Sequence, residues 1–397
     1  MTPVYIGILG LIVLTALLVF RVPGGLSLIT AAALGASLLN SPGMALAELG
    51  GDILRIFSHY DLSLIPLVIM TGFLFDMGTR ELSNVRRAGQ EDDSAALAHT
   101  DEPSPGLAPR RSASHFLTPP CVAPVIALIV FAFLSGGSVG KFLMAGVVPG
   151  IIALTLLALS AAIIQIIAPR LLPEAIKRAL PFRVKTLARF LVAALVAAAI
   201  TAGIFFGFIT PTEASAVGAF ILVLYMAFSR RLTPKGLLDA LQRSVIATAR
   251  MFLLITGGSL FGLLMTRSLL HVTLLRYIAG SAIPPFLVLG FVLLFYTVMG
   301  FIFDGHAALA IVTPIVYPIV HGLGYSGNWF GVLAVMALMF GLLSKEDAFM
   351  DITRFGLHIR RVVRTKWPFW VALLIACLIV TLAPGLVTYL PRIMLGL

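Results

Sequence analysis

The sequence predicts an all-α polytopic membrane protein of about ten to twelve membrane segments, and three observations predict it. Of its 397 residues, 59% are apolar and only 11% are Asp, Glu, Lys or Arg. Soluble domains show about 45–50% and about 25% respectively. The mean hydropathy is +1.05, which no fold with a polar shell reaches. The apolar residues also run continuously instead of alternating, which excludes the roughly ten-residue alternating strands of an outer-membrane barrel. The net charge of +11 would suggest nucleic acid as a partner of a soluble protein. Between membrane segments it instead reads as Lys and Arg held on the cytoplasmic side, with the lipid bilayer as partner and no nucleic acid.

The elements follow in order. Met1-Thr2-Pro3 carries no basic leader, so Val4–Phe20 is expected to stay as a membrane helix, followed by segments near 25–40 and 62–75. Together these form an N-terminal membrane region over 1–79. Residues 80–116 break the pattern: Arg80, Glu81, Arg86, Arg87, Glu91, Asp92, Asp93, Asp101 and Glu102 crowd one stretch. Too little apolar surface is present there to fold alone, so a flexible polar linker is expected. A central membrane region over 117–228 holds segments near 122–134, 142–168, 190–209 and 214–228. Residues 229–250 place Leu237, Leu238, Leu241 and Val245 on one side of a basic helix, which predicts an interfacial amphipathic helix. The remaining region, 251–397, contributes segments near 251–266, 285–303, 306–322, 329–343 and 368–390.

Several segments are shorter than the roughly 20 residues a straight crossing needs. Others carry internal prolines, namely Pro66, Pro124, Pro149, Pro314 and Pro318. Their clustering favours broken helices that line a cavity over simple kinks. Three basic stretches, Arg170–Arg189, Arg230–Arg250 and Arg360–Lys366, are expected to share the cytoplasmic side. Cys121 and Cys377 both sit in apolar context, which favours free thiols.

Three polar islands interrupt the apolar background. In Gly207–Ala219, Pro211 lacks a backbone donor, so a helix must stop there, with Thr210 as a possible cap and Thr212 and Glu213 opening the next helix. Freed carbonyls and hydroxyls at such a break suit a cation; a plain turn with Glu213 in the first helical turn suits the same residues. Asp304, with His306 and the Thr313-Pro314 step, forms the second island. An Asp in mid-membrane costs about 2.5–3.5 kcal/mol, which points to function, while Gly305 is compatible with an interfacial loop. The third is Ser344-Lys345-Glu346-Asp347 with Asp351. Asp347 and Asp351 share a helical face and could hold a divalent cation; a solvated turn is the simpler reading. The other histidines fit no zinc motif or catalytic triad, and no phosphate-binding loop is present.

The Thr-Pro-Thr-Glu-Ala core of Gly207–Ala219 resembles the signature of the large membrane subunit of tripartite ATP-independent periplasmic (TRAP) transporters. Ile65–Ile69 with Thr71-Gly72, Leu143–Gly150, Gly300–Asp304, Ile311–Pro318, and Phe330–Val332 through Gly341–Leu343 continue the resemblance in order. It covers most of the chain outside 80–115. What it implies is no enzyme and no cofactor, but a sodium-driven importer of organic acids such as dicarboxylates or sialic acid in the bacterial inner membrane. The implied partners are a small membrane subunit and a periplasmic substrate-binding protein. The implied fold is similar to elevator-type ion transporters built from inverted repeats with re-entrant hairpins. Gly72–Asp76 faintly echoes Gly300–Asp304. On this reading Thr210, Thr212, Glu213, Asp304, Thr313 and Ser344 are the candidate ion and substrate residues.

The chain departs from the family in two places. The polar linker stands where the family has a Gly/Ser-rich first hairpin, and Ser344–Ala348 stands where it has a Thr-Pro-Pro-x-Gly tip. Both tips help form the family's sites, so an impaired member fits these departures as well as a working one. Two other readings stay open: a metal-dependent intramembrane transferase using Glu346, Asp347 and Asp351, and a non-transporting assembly subunit.

Overall fold

The computed structural model describes residues 3–75, 77, 122–167, 198–229, 232–281, 283–348 and 355–394. The linker expected over 80–116, the Arg170–Arg189 stretch, Asp76 and Asp351 lie outside the described residues. For Ser344, Glu346, Asp347 and the Arg360–Lys366 group the description stops at the backbone. The described residues form helices and turns, with no strand among them.

The helices are α1 (Pro3–Val19), α2 (Gly24–Leu39), α3 (Pro42–Phe57), α4 (Tyr60–Phe75), α5 (Ala123–Leu134) and α6 (Val139–Ile167). After a helical stretch over 198–205 come α7 (Pro211–Phe228), α8 (Pro234–Arg267), α9 (Leu270–Gly280) and α10 (Pro285–Ile302). The series closes with α11 (Gly305–Gly322), α12 (Gly327–Ala348), α13 (Phe355–Leu382) and α14 (Gly385–Met394). Among the described residues, five helices are long and apolar enough to cross a membrane, or up to seven if each of two broken pairs counts as one span. Shorter apolar helices, α1, α2, α5 and the Gly327–Gly341 part of α12, accompany them. The chain is an all-α polytopic membrane protein.

Two compact units divide it. The first gathers Met1–His59, Ala127–Pro211 and Phe252–Leu397; the second gathers Tyr60–Ile126 and Thr212–Met251. At the heart of the first unit is α11, buried along most of its length from Gly305 to Val320. Lipid tails supply no hydrophobic drive between helices, so close approach through small residues has to hold them. Three such approaches frame the unit. Gly341 of α12 lies against the Gly300 backbone of α10. A methyl at Gly257 of α8 would sit 2.6 Å from the Gly25 carbonyl oxygen of α2. One at Gly258 would sit 3.1 Å from the Ala310 carbonyl oxygen of α11. Phe131 fills the space between helices, its ring packing on Phe142, Tyr317 and Phe330. Farther out, Ala161 and Ile164 of α6 enclose Phe369 of α13. In the second unit, Leu74 of α4, Met226 of α7 and Ala240 of α8 form the core.

Two features differ from the sequence reading. The interfacial helix expected over 229–250 and the membrane segment expected from 251 are one continuous helix of 34 residues, α8. Nothing between Ala249 and Phe252 breaks a helix; the sequence changes polarity there without changing backbone preference. The prolines also do not interrupt their helices: α6 runs through Pro149, and α11 through Pro314 and Pro318. Each proline forfeits one intrahelical bond; α11 is largely buried along its length, whereas α6 runs through Pro149 with most of its surface exposed. Ser344–Asp347 likewise continues α12 as helix, where a turn was the simpler expectation.

Candidate functional site

Asp304 marks a break in the chain. Phe303 leaves α10 in extended conformation, and Asp304 caps α11 by accepting from the backbone N–H of His306 at 3.3 Å. Its Oδ2 also lies 3.3 Å from His306 Nδ1. The imidazole is 2% exposed, and its Nε2 has no hydrogen-bond partner among the described residues. A carboxylate and a buried imidazole are thus held together at the start of a largely buried helix.

Farther along α11, Pro314 and Pro318 lack the N–H groups that would bond the carbonyls of Ala310 and Pro314. Thr313 sits just before the first of these prolines, fully buried, and accepts a hydrogen bond of 3.0 Å from the Tyr296 hydroxyl of α10. Tyr296→Phe removes only that bond. It should cost about 0.5–1.5 kcal/mol, toward the lower end inside a membrane. Thermal unfolding of the purified protein would register this as a small drop in Tm, and an unchanged Tm would show that the bond does not hold α10 to α11.

A cavity of about 820 Å³ opens beside this stretch, walled by α3, α5, α8, α9 and α11 within the first unit. Thr313 and Pro314 lie at its buried side, with Ser259 and Gly262 of α8 close by. Among its lining residues, Arg55 of α3, His59 in the turn after α3 and His321 of α11 are exposed, and His271 of α9 is half-buried. His59 rests edge-on against Phe133, with ring centroids 5.1 Å apart. Arg55 is paired with Asp52 at 3.4 Å. Among the described lining residues there is no carboxylate.

The other candidates are elsewhere. Thr210 precedes α7 in a turn where Gly207 takes φ +75°, a conformation glycine enters without steric cost. Thr212 and Glu213 belong to the second unit, in the first turn of α7. Thr212 is buried and its carbonyl accepts from Ser215 Oγ at 2.8 Å, while Glu213 is exposed. Helix α7 starts at Pro211, the first-turn position that proline favours. Asp304 and Thr313 share α11 but stand about 13 Å apart along its axis, at about 1.5 Å per residue. Of the candidates with described side chains, Thr313 alone lines the cavity. Arg55, His59, His271 and His321 escaped the sequence reading, since they lie far apart in the chain and converge only through packing. Among the described residues no group of three or more His, Cys, Asp or Glu is placed to hold a metal ion.

The family model for the tripartite ATP-independent periplasmic transporter, DctM component, matches residues 102–386. The sialic acid TRAP transporter large permease protein SiaM of Vibrio cholerae is 27% identical over 325 residues, covering 81% of this chain and 72% of that protein. The sialic acid TRAP transporter permease protein SiaT of Haemophilus influenzae is 25% identical over 323 residues, covering 80% of this chain and 50% of SiaT. The C4-dicarboxylate TRAP transporter large permease protein DctM of Pseudomonas aeruginosa is 27% identical over 281 residues, covering 68% and 64%. The chain therefore spans half the length of SiaT and less than two thirds of DctM. These relatives are transport permeases, not enzymes.

Proposed function

Because the chain belongs to the DctM family of TRAP transporter permeases, we propose that it is the large permease subunit of a sodium-coupled, binding-protein-dependent importer of organic acids. The observation that carries the reading is the cavity at Thr313, set against a membrane helix whose two internal prolines leave backbone carbonyls without their helical donors. Ion-coupled carriers hold cations with the carbonyls of unwound helices, and carbonyls deprived of their donors by proline offer the same acceptors. The cavity volume falls within the roughly 300–1,000 Å³ of small-molecule sites. Bases without carboxylates along its lining favour an anionic solute.

Sodium is the coupling ion in this proposal, and Thr210, Thr212, Glu213, Asp304, Thr313 and Ser344 are the polar residues from which its site and the substrate site are drawn. A small membrane subunit and a periplasmic binding protein complete the transporter in the bacterial inner membrane. Dicarboxylates and sialic acids are the substrate classes, carried over from the names of the relatives.

The test is uptake of a labelled organic acid into proteoliposomes containing this chain and the small subunit, with the binding protein outside. Uptake is expected only with an inward sodium gradient and with the binding protein present. Uptake that persists when the gradient is collapsed would overturn the coupling, and no uptake of either acid class would favour a non-transporting assembly subunit.

A further inference from the structure

We infer that the cavity beside Thr313 binds its solute in one orientation, anionic group against the exposed bases Arg55, His59 and His321, uncharged polar body toward Ser259 and the buried wall at Thr313. This rests on the importer reading above and goes further by assigning the residues that select the solute and the charge pattern they accept.

The cavity is asymmetric in burial and in chemistry. Arg55, His59 and His321 of its lining are exposed, whereas Thr313 is fully buried. Half-buried Ser259 offers a hydroxyl beside Thr313, whose own is engaged by Tyr296; it suits neutral oxygen substituents and carries no charge to balance a carboxylate. A charged group would lose its hydration there without a counter-ion, so it is better placed against the exposed bases. The acid on α3 near Arg55, Asp52, pairs with its guanidinium but does not line the cavity. A guanidinium has five donors in a planar fork, so one such contact leaves donors for a second carboxylate.

The same lining discriminates. Among the described residues around the cavity, no Asp or Glu is available to receive a cationic substituent. A zwitterion would therefore set its positive group against Arg55 or bury it unpaired, and either is unfavourable. The favoured solute is an organic anion without an ammonium group. A volume of about 820 Å³ accommodates one with a hydroxylated body of sugar-acid size.

Arg55 and His321 also stand in the last turns of α3 and α11, where cations complement the helix dipole. That role alone would appear in stability and not in ligand binding, so the experiment measures both. In the full chain in lipid nanodiscs and sodium buffer, with Cys121→Ser and Cys377→Ser, a Val272→Cys reporter in the cavity wall is labelled with a water-soluble maleimide. N-acetylneuraminate is expected to slow labelling, and glycine betaine, a zwitterion, is expected to leave it unchanged. Adding Arg55→Gln should raise the half-protecting concentration about tenfold or more, the effect of losing one charged hydrogen bond. Arg55→Lys should recover part of it, with Tm equal in all three. Equal protection by betaine, or protection by the acid indifferent to Arg55→Gln, would overturn the assignment. This readout needs neither small subunit nor binding protein. Uptake without Arg55-dependent protection would sink the site and leave the importer standing; Arg55-dependent protection without uptake would do the reverse.

Discussion

Asp304→Asn is expected to abolish sodium-dependent uptake at the sodium concentrations that drive the unmodified protein, while membrane insertion and Tm stay as they are. The side chain does two separable things. As the cap of α11 it accepts from the His306 backbone N–H at 3.3 Å, and it brings a carboxylate to the end of α10 inside a mostly apolar unit. Asparagine keeps the volume and the capping oxygen and ranks with aspartate as a helix cap, so the start of α11 should survive. Only the charge goes. If that charge helps to neutralise a bound cation, its loss should weaken sodium binding roughly ten- to hundred-fold, the range expected when a charged partner is removed. The half-saturating sodium concentration for uptake should rise accordingly, so that sodium stimulation is lost at the concentrations that drive the unmodified protein. Asp304→Ala separates the two roles, since it loses the cap as well and should lower Tm by the equivalent of about 1 kcal/mol. Sodium-stimulated uptake that is unchanged in Asp304→Asn would remove the residue from the ion site.

Much of the architecture was legible because membrane helices announce themselves by local composition. The start of α7 at Pro211 and the break at Phe303-Asp304 follow from single residues whose backbone chemistry leaves little choice. The prolines inside α6 and α11 misled, because an internal proline need not end its helix. In α11 the buried surroundings hold the helix through both prolines, and α6 runs through Pro149 even with most of its surface exposed. The join at 250/251 misled for the opposite reason: polarity changed without any backbone signal, so one helix looked like two elements. The cavity was illegible on principle. His59, in the turn after α3, lies more than two hundred residues of chain from His271 of α9 and His321 of α11, and no spacing rule links them. Thr313 was found because the adjacent proline drew attention to it; its partner Tyr296, on another helix, was not.

The helix contacts give the second large effect. Gly257→Ala should sharply reduce the yield of folded protein and lower its Tm. A Cβ at this position would lie 2.6 Å from the Gly25 carbonyl oxygen and 2.9 Å from Leu28 Cβ. The obstacle is the backbone of α2, which cannot rotate aside as a side-chain tip can, so α2 and α8 must separate along their contact. Forced overpacking of this kind costs about 1–3 kcal/mol, and in a membrane the lost close packing is itself the main attraction between the helices. The move would also shift Gly258, which approaches the Ala310 carbonyl on the other side of α8, and through it the wall of the cavity at Pro314. Gly290→Ala in α10 is the control. A Cβ there meets nothing within 4 Å, and alanine favours helix over glycine by up to about 1 kcal/mol, so Tm should hold or rise. Equal melting of Gly257→Ala and the unmodified protein would mean that α2 and α8 are not held by this contact. A fall in both variants would assign the effect to glycine removal in general and not to the approach of the two backbones.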